Sequence, residues 1–252
     1  MTDPLIALQR RYTRLLPNLH RHLSRRFPQA LWSGDPLRRE VALTFDDGPD
    51  PRDTPALLDL LARRGVRAAF FVCGAQLAVR PDLGRALAEA GHQVALHGYY
   101  HKPFLNHAVA PFLNELADLR RLIADVTRRP DEAIRDVRPP YGLFTPPVLD
   151  ALLRHRYRPV MWSVVPFHWH QTFDEAVAQV ERQLSPGALI VLHEGMRSGA
   201  DVVRLTEAVI ERVRDAGLSF VTVEEMWAGC PPGEVGPNRS TATWRRAAEG
   251  VR

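Results

Sequence analysis

The sequence predicts an α/β fold, a (β/α) barrel of about seven parallel strands. Three observations lead there. Apolar runs of strand length alternate with segments of helical periodicity. Capping and turn residues fall at the boundaries between them. The polar residues with chemistry to offer follow the strands: Asp46 and Asp47 after the first, His97 after the third, Arg138 and His193 ending the fourth and sixth. In a barrel such C-terminal strand ends converge on one face, whereas an open doubly wound sheet would place its ligand at one reversal of strand order.

The first strand is the apolar run 41–45, followed by Asp53-Thr54-Pro55, which offers a cap and a first-turn proline for a helix through Ala62 that stops before Gly65. Strand two covers 68–72. A helix including 83–90 ends at Gly91, and 94–96 makes a short third strand. A longer helix over 112–127 leads to strand four at 134–138, a helix at 148–154 and strand five at 160–164. The remaining units are helix 173–184, strand 188–193, helix 202–216 and strand 219–223.

A chain of 252 residues with 45% hydrophobic content suits one large domain better than two small ones. The barrel is expected over 38–228, preceded by a basic amphipathic segment at 1–37 and followed by a Pro/Gly-rich tail at 229–252. In the leading segment Arg10, Arg11, Arg14, Arg21, Arg25 and Arg26 alternate with Leu5, Leu8, Tyr12, Leu15, Leu19 and Leu23 at three- or four-residue steps. Such a pattern over 1–34 can touch an anionic membrane surface peripherally, or pack against the closed end of the barrel, with a kink at Pro17. A nucleic-acid partner is not expected, because it would leave the strand-end residues unexplained. No run of about 18 apolar residues is present, which excludes a transmembrane helix by hydropathy. Arginines interrupt the apolar run a secretory signal needs, so the expected compartment is the cytoplasm. Two cysteines, Cys73 and Cys230, argue against a disulfide framework and a cysteine-based zinc site.

Thr44-Phe45-Asp46-Asp47-Gly48-Pro49 sets two carboxylates at the end of a buried strand, which costs several kcal/mol unless something pairs with them. A polar turn is the plain explanation, and a metal ion the sharper one. His97-Gly98-Tyr99-Tyr100-His101 spaces two imidazoles four residues apart, which on a helical turn puts both rings on one face. Arg138-Pro139-Pro140-Tyr141-Gly142 reads by itself as a rigid loop.

Taken together with Leu192-His193, these segments resemble the polysaccharide deacetylases, carbohydrate esterase family four, also called the NodB-homology domain. The resemblance implies a distorted (β/α) barrel and removal of the N-acetyl group from an amino sugar or polysaccharide of the N-acetylglucosamine type. It implies one divalent ion held by Asp47, His97 and His101, zinc foremost, with cobalt, manganese or nickel as alternatives. Asp46 would be the general base, Arg138 the cation that keeps it ionised, and His193 the general acid. The backbone N–H of Tyr141 would meet the oxyanion, and Tyr141, Trp169 and Leu192 would line the substrate cleft, where aromatic rings suit the apolar faces of sugars. Phe104, Phe144 and Trp162 are expected in the core.

The chain departs from the family pattern in two places. Gly98 stands where the family usually has Ser or Thr, and Val165 and His168 stand where it commonly has aspartates, one of which would tune the acid histidine. His168 and His170 are expected on the surface or in loops, and Glu194 is expected to point away from His193. The departure at Val165 and His168 supports one alternative, a barrel that binds carbohydrate without efficient hydrolysis.

Overall fold

Strand β1 (Glu40–Asp46) is buried along almost its whole length because it has partners on both edges and packing on both faces. In the computed structural model, which describes residues 22–105 and 109–229, helical residues 22–26 (α1) precede it. After it come α2 (Asp53–Arg64), β2 (Ala69–Val72), α3 (Gly74–Val79), α4 (Pro81–Glu89), β3 (Gln93–Leu96) and α5 (Val109–Thr127). The second half contains β4 (Asp136–Val137), α6 (Pro146–Arg154), β5 (Arg158–Pro159), α7 (Phe173–Gln183) and β6 (Leu189–His193). It closes with α8 (Val202–Asp215), β7 (Ser219–Val221) and α9 (Val223–Ala228).

The strands form one curled parallel sheet in the order β5-β4-β3-β2-β1-β6, with β7 paired to β1. Ala42 has partners in both β6 and β7, so β7 shares the β2 edge of β1, taking Glu40–Ala42 while β2 takes Thr44–Asp46. The chain after β5 closes the curl: Val164 bridges Ile190 of β6, and Leu31 bridges Val160 from the other side. Leu31 donates to Pro159 O and accepts from the Met161 N–H, each at 2.8 Å, so residues before β1 cover this seam. Leu23 and Phe27 pack beside it on Ala30, Trp32 and Met161.

Residue parity divides the sheet into two faces. Leu43, Phe45, Phe70, Val72, Val94, Leu96, Val137, Ile190 and Leu192 face outward into the helix-covered core, where Phe45 and Phe70 stack at 4.8 Å. Ala42, Ala69, Phe71, Ala95 and Leu189 line the interior. At the bottom of that interior Asp136 takes two bonds from Arg158 at 2.7 and 2.9 Å and one from Gln93 at 2.6 Å. At the top, the same parity delivers Thr44, Asp46, His97 and His193.

Seven parallel strands with intervening helices match the expected fold, with differences at boundaries. Strands four and five are reduced to two residues each, because the 160–164 run trades ladder pairing for the seam bridges. Strand seven ends at Val221, where Thr222 and Glu225 form a capping box that starts α9. Helix α3 was not foreseen. Residues 1–21 and 230–252, which carry most of the basic segment and the Pro/Gly-rich tail, lie outside the described residues. Among those described, no helix is long and apolar enough to cross a membrane.

Replacing Phe70 with alanine removes one ring of the stack at the centre of the outer core. Equilibrium urea unfolding should show a loss of about 3–5 kcal/mol.

Candidate active site

Asp46 is the last paired residue of β1, opposite Phe71 of β2 and His193 of β6. Its side chain therefore points into the barrel, where it is 2% exposed and bonded by Arg138 Nη1 at 2.6 Å. Arg138 is itself 0% exposed. The same nitrogen donates to Thr44 Oγ1 at 2.7 Å, Nη2 to Met161 O at 2.9 Å and Nε to Val160 O at 3.4 Å, while the guanidinium lies 4.0 Å from the Phe71 ring centroid. Burial lowers the Arg138 pKa, and the Asp46 charge opposes that shift. A charge pair sealed this way persists only because nearly every polar atom has a partner.

Asp47 would point to the opposite face if the strand continued. It adopts φ 74 instead, and this left-handed turn brings its carboxylate back to the cleft. Its Oδ1 lies 3.3 Å from Nε2 of His97 and 3.0 Å from Nε2 of His101. The expected helical turn for this histidine pair is absent: residues 97–103 form a loop in which Gly98 (φ 76) and His101 (φ 52) are left-handed. Gly74 and Ala75 at the start of α3 donate to Gly98 O and Tyr99 O at 3.1 and 2.9 Å, and Glu115 of α5 accepts from the Tyr99 N–H at 3.0 Å. The loop is thus fixed from two helices.

His97 Nδ1 lies 2.9 Å from Arg138 O. A carbonyl only accepts, so Nδ1 carries the proton and the neutral ring turns the Nε2 lone pair toward Asp47. Asp47 Oδ1 is buried and has no hydrogen-bond partner despite its two close nitrogens. A lone pair facing a carboxylate oxygen at 3.3 Å is repulsive unless a cation or a proton sits among these atoms. Burial raises the Asp47 pKa, but where no cation is held, protons on the His101 and His97 Nε2 atoms would bond to its carboxylate and hold it far below the carboxylate range. The three donor atoms lie within 4.8 Å of one another and suit a divalent cation with coordination positions left open.

His193 ends β6 with its Nδ1 buried and unpartnered. Burial lowers its pKa, against the raising influence of Asp46 and Asp47. Trp169 stacks edge-on at 4.4 Å. His168 lies in a loop turn, within the expectation, but not on the surface. It is fully buried, accepting the His193 N–H at Nε2 (3.1 Å) and facing Ala200 O through Nδ1 (3.1 Å). That pair of partners fixes the neutral tautomer, and burial pushes its pKa down to about 4. His168 therefore holds the end of β6 in place and supplies no negative charge to His193. His170 is exposed, as expected.

Tyr141 (φ 60) is 63% exposed, with its ring 4.6 Å from that of His101. Phe104 is buried and bridges Phe144, and Trp162 packs where a Cβ on Gly142 would fall. Leu192 does not reach the cleft. It is 0% exposed on the helix-facing side of β6, one residue out of phase with His193, so its contribution is packing. Thr44, Glu115 and Glu194 were missed as supporting residues. Thr44 could have been found from its parity with Asp46, whereas nothing local marks Glu115.

Residues 33–160 match the family model for polysaccharide deacetylase. A chitooligosaccharide deacetylase of Bradyrhizobium sp. (strain ANU 289) is 37% identical over 164 residues, 65% of this chain and 74% of the relative. A peptidoglycan-N-acetylglucosamine deacetylase of Bacillus cereus is 27% identical over 203 residues, 77% of this chain and 91% of the relative. The crystal structure of the Bc1960 peptidoglycan N-acetylglucosamine deacetylase aligns with TM-score 0.71 and 26% identity, covering 79% of this chain and 92% of that one.

Replacing Arg138 with methionine keeps volume but leaves the Asp46 carboxylate buried and unpaired. Denaturant unfolding should register a loss of about 3–5 kcal/mol.

Proposed function

Because the chain belongs to the polysaccharide deacetylase family, we propose that it hydrolyses the N-acetyl group of an N-acetylglucosamine-type sugar or polymer, releasing acetate and a free amine. The observation that carries this reading is the meeting of Asp47, His97 and His101 beside a second carboxylate, Asp46, already paired with Arg138. Zinc suits two imidazole nitrogens and one carboxylate oxygen, with cobalt, manganese and nickel as substitutes. A divalent ion held there would lower the pKa of water toward about 7 and polarise the acetamide carbonyl.

The protein groups divide the remaining work. Asp46 accepts the proton of the attacking water as oxygen adds to the acetyl carbon, and Arg138, bonded to it at 2.6 Å, orients the carboxylate for that transfer. Charge then collects on the former carbonyl oxygen, toward which the backbone N–H of Tyr141 is assigned. The C–N bond breaks as the nitrogen takes a proton, and His193, half-buried at the end of β6, would donate it. With no carboxylate on Nδ1, His193 would acquire that proton less readily than a histidine paired with an acid. Tyr141 and Trp169, standing beside His101 and His193, would bracket the sugar ring and orient its acetamido group.

Purified protein should bind about one zinc ion per chain and release acetate from acetylated chito-oligosaccharides. Asp46→Asn should cost at least about 10²-fold in kcat while zinc remains bound, since the lost group is a general base. His97→Ala should lose the metal, as read by elemental analysis after dialysis. Zinc bound without acetate release from any N-acetyl sugar or peptidoglycan fragment would replace this reading with carbohydrate binding alone.

A further inference from the structure

Glu194 follows His193, and its N–H donates to Asp46 O at 3.0 Å, carrying the β1–β6 ladder one residue past the strand. Its side chain turns out of the barrel toward the loop after β1. There it is 1% exposed and packed on Gly48, where a Cβ would overlap its carboxyl. Oε2 accepts the Thr54 hydroxyl and lies 3.5 Å from the Asp50 N–H, while Oε1 is buried with no hydrogen-bond partner. No cation is committed to it. Arg52 pairs with Asp53 at 2.7 Å, and Arg197 pairs with Asp50 at 2.7 Å and approaches Asp53 at 3.7 Å. The carboxylates of Asp50 and Asp53 face the same space. Burial first, then Asp53 and Asp50, push the Glu194 carboxyl up to about 8.

We propose that Glu194 is a positioning residue that works as an uncharged carboxylic acid, filling the space over Gly48 and fixing the turn that carries Asp46 and Asp47 against the strand that carries His193. An ionised Glu194 would leave a bare oxygen buried beside two carboxylates; a neutral acid fits the same shape without that penalty. The consequence for turnover rests on the deacetylase reading, while the consequence for metal affinity does not.

The test compares zinc-loaded wild type, Glu194→Gln and Glu194→Ala. Zinc affinity is measured by chelator competition, acetate release by kcat and KM across pH, and stability by thermal unfolding. The amide should keep zinc affinity and neutral-pH kcat/KM within about twofold, and alanine should weaken zinc binding at least about tenfold, the scale for groups that orient ligands. The stability of the Gln protein relative to wild type should rise as pH climbs from the ordinary glutamate value to about 8 and stay flat beyond, because a carboxyl whose pKa is raised on folding loses its contribution over that interval. If alanine prevents folding, Glu194→Asp, whose shorter acid withdraws from Gly48, carries the same expectation for zinc. Equal loss of zinc affinity in the Gln and Ala proteins would mean that charge is required and overturn the proposal. Wild-type zinc affinity in the truncated proteins would overturn it as well. If wild type releases no acetate, only the deacetylase reading fails, and the zinc affinities still decide the role of Glu194.

Discussion

The contact between Arg138 and Asp46 joins the end of β4 to the end of β1 inside a curled sheet, with both groups withdrawn from solvent. A guanidinium has five N–H donors and cannot shed its charge, so whatever encloses it must supply acceptors. Here the hydroxyl of Thr44, the carbonyls of Val160 and Met161 and the face of Phe71 do so. Those partners come from β1, β2 and the seam after β5. The pair thus fixes how far the sheet curls at its upper end, and with it the distance across the cleft.

Two neighbouring carboxylates meet different surroundings because one backbone dihedral separates them. Asp46 keeps its place in the ladder and inherits the interior face from Ala42 and Thr44 by parity. Asp47 leaves the strand in a left-handed conformation and meets the two histidines from outside the pairing. A group already bonded to an arginine makes a poor metal ligand, and a carboxylate flanked by imidazoles makes a poor free base. The backbone turn is what sets the two surroundings apart.

Much of this was legible in the sequence because strand ends, parity and residue type are local properties. The runs ending at Asp46, His97 and His193 announce their own strands, and two-residue periodicity fixes which side chains share the interior. The sequence did not reveal what depends on distant packing. The His97–His101 spacing suggests a helical turn, but Gly98 and the hydrogen bonds from α3 and Glu115 impose a loop, and Glu115 is fourteen residues past His101 in sequence. His168 resembles a loop histidine until the 195–200 segment folds over it and Ala200 meets its ring. Leu192 is a correction of the same kind: adjacency to His193 suggested the cleft, and strand alternation puts it on the other side.

The shortness of β5 bears on how the centre of the barrel tolerates a permanent cation. Had residues 160–164 continued as a regular strand, their carbonyls would face a neighbouring ladder and be consumed by its amides. The interruption leaves Val160 O and Met161 O turned toward Arg138, standing in for the water molecules the guanidinium gave up. An irregularity in the sheet is in this sense a fixed solvation shell, and a more symmetrical barrel would have no means of keeping an arginine dry.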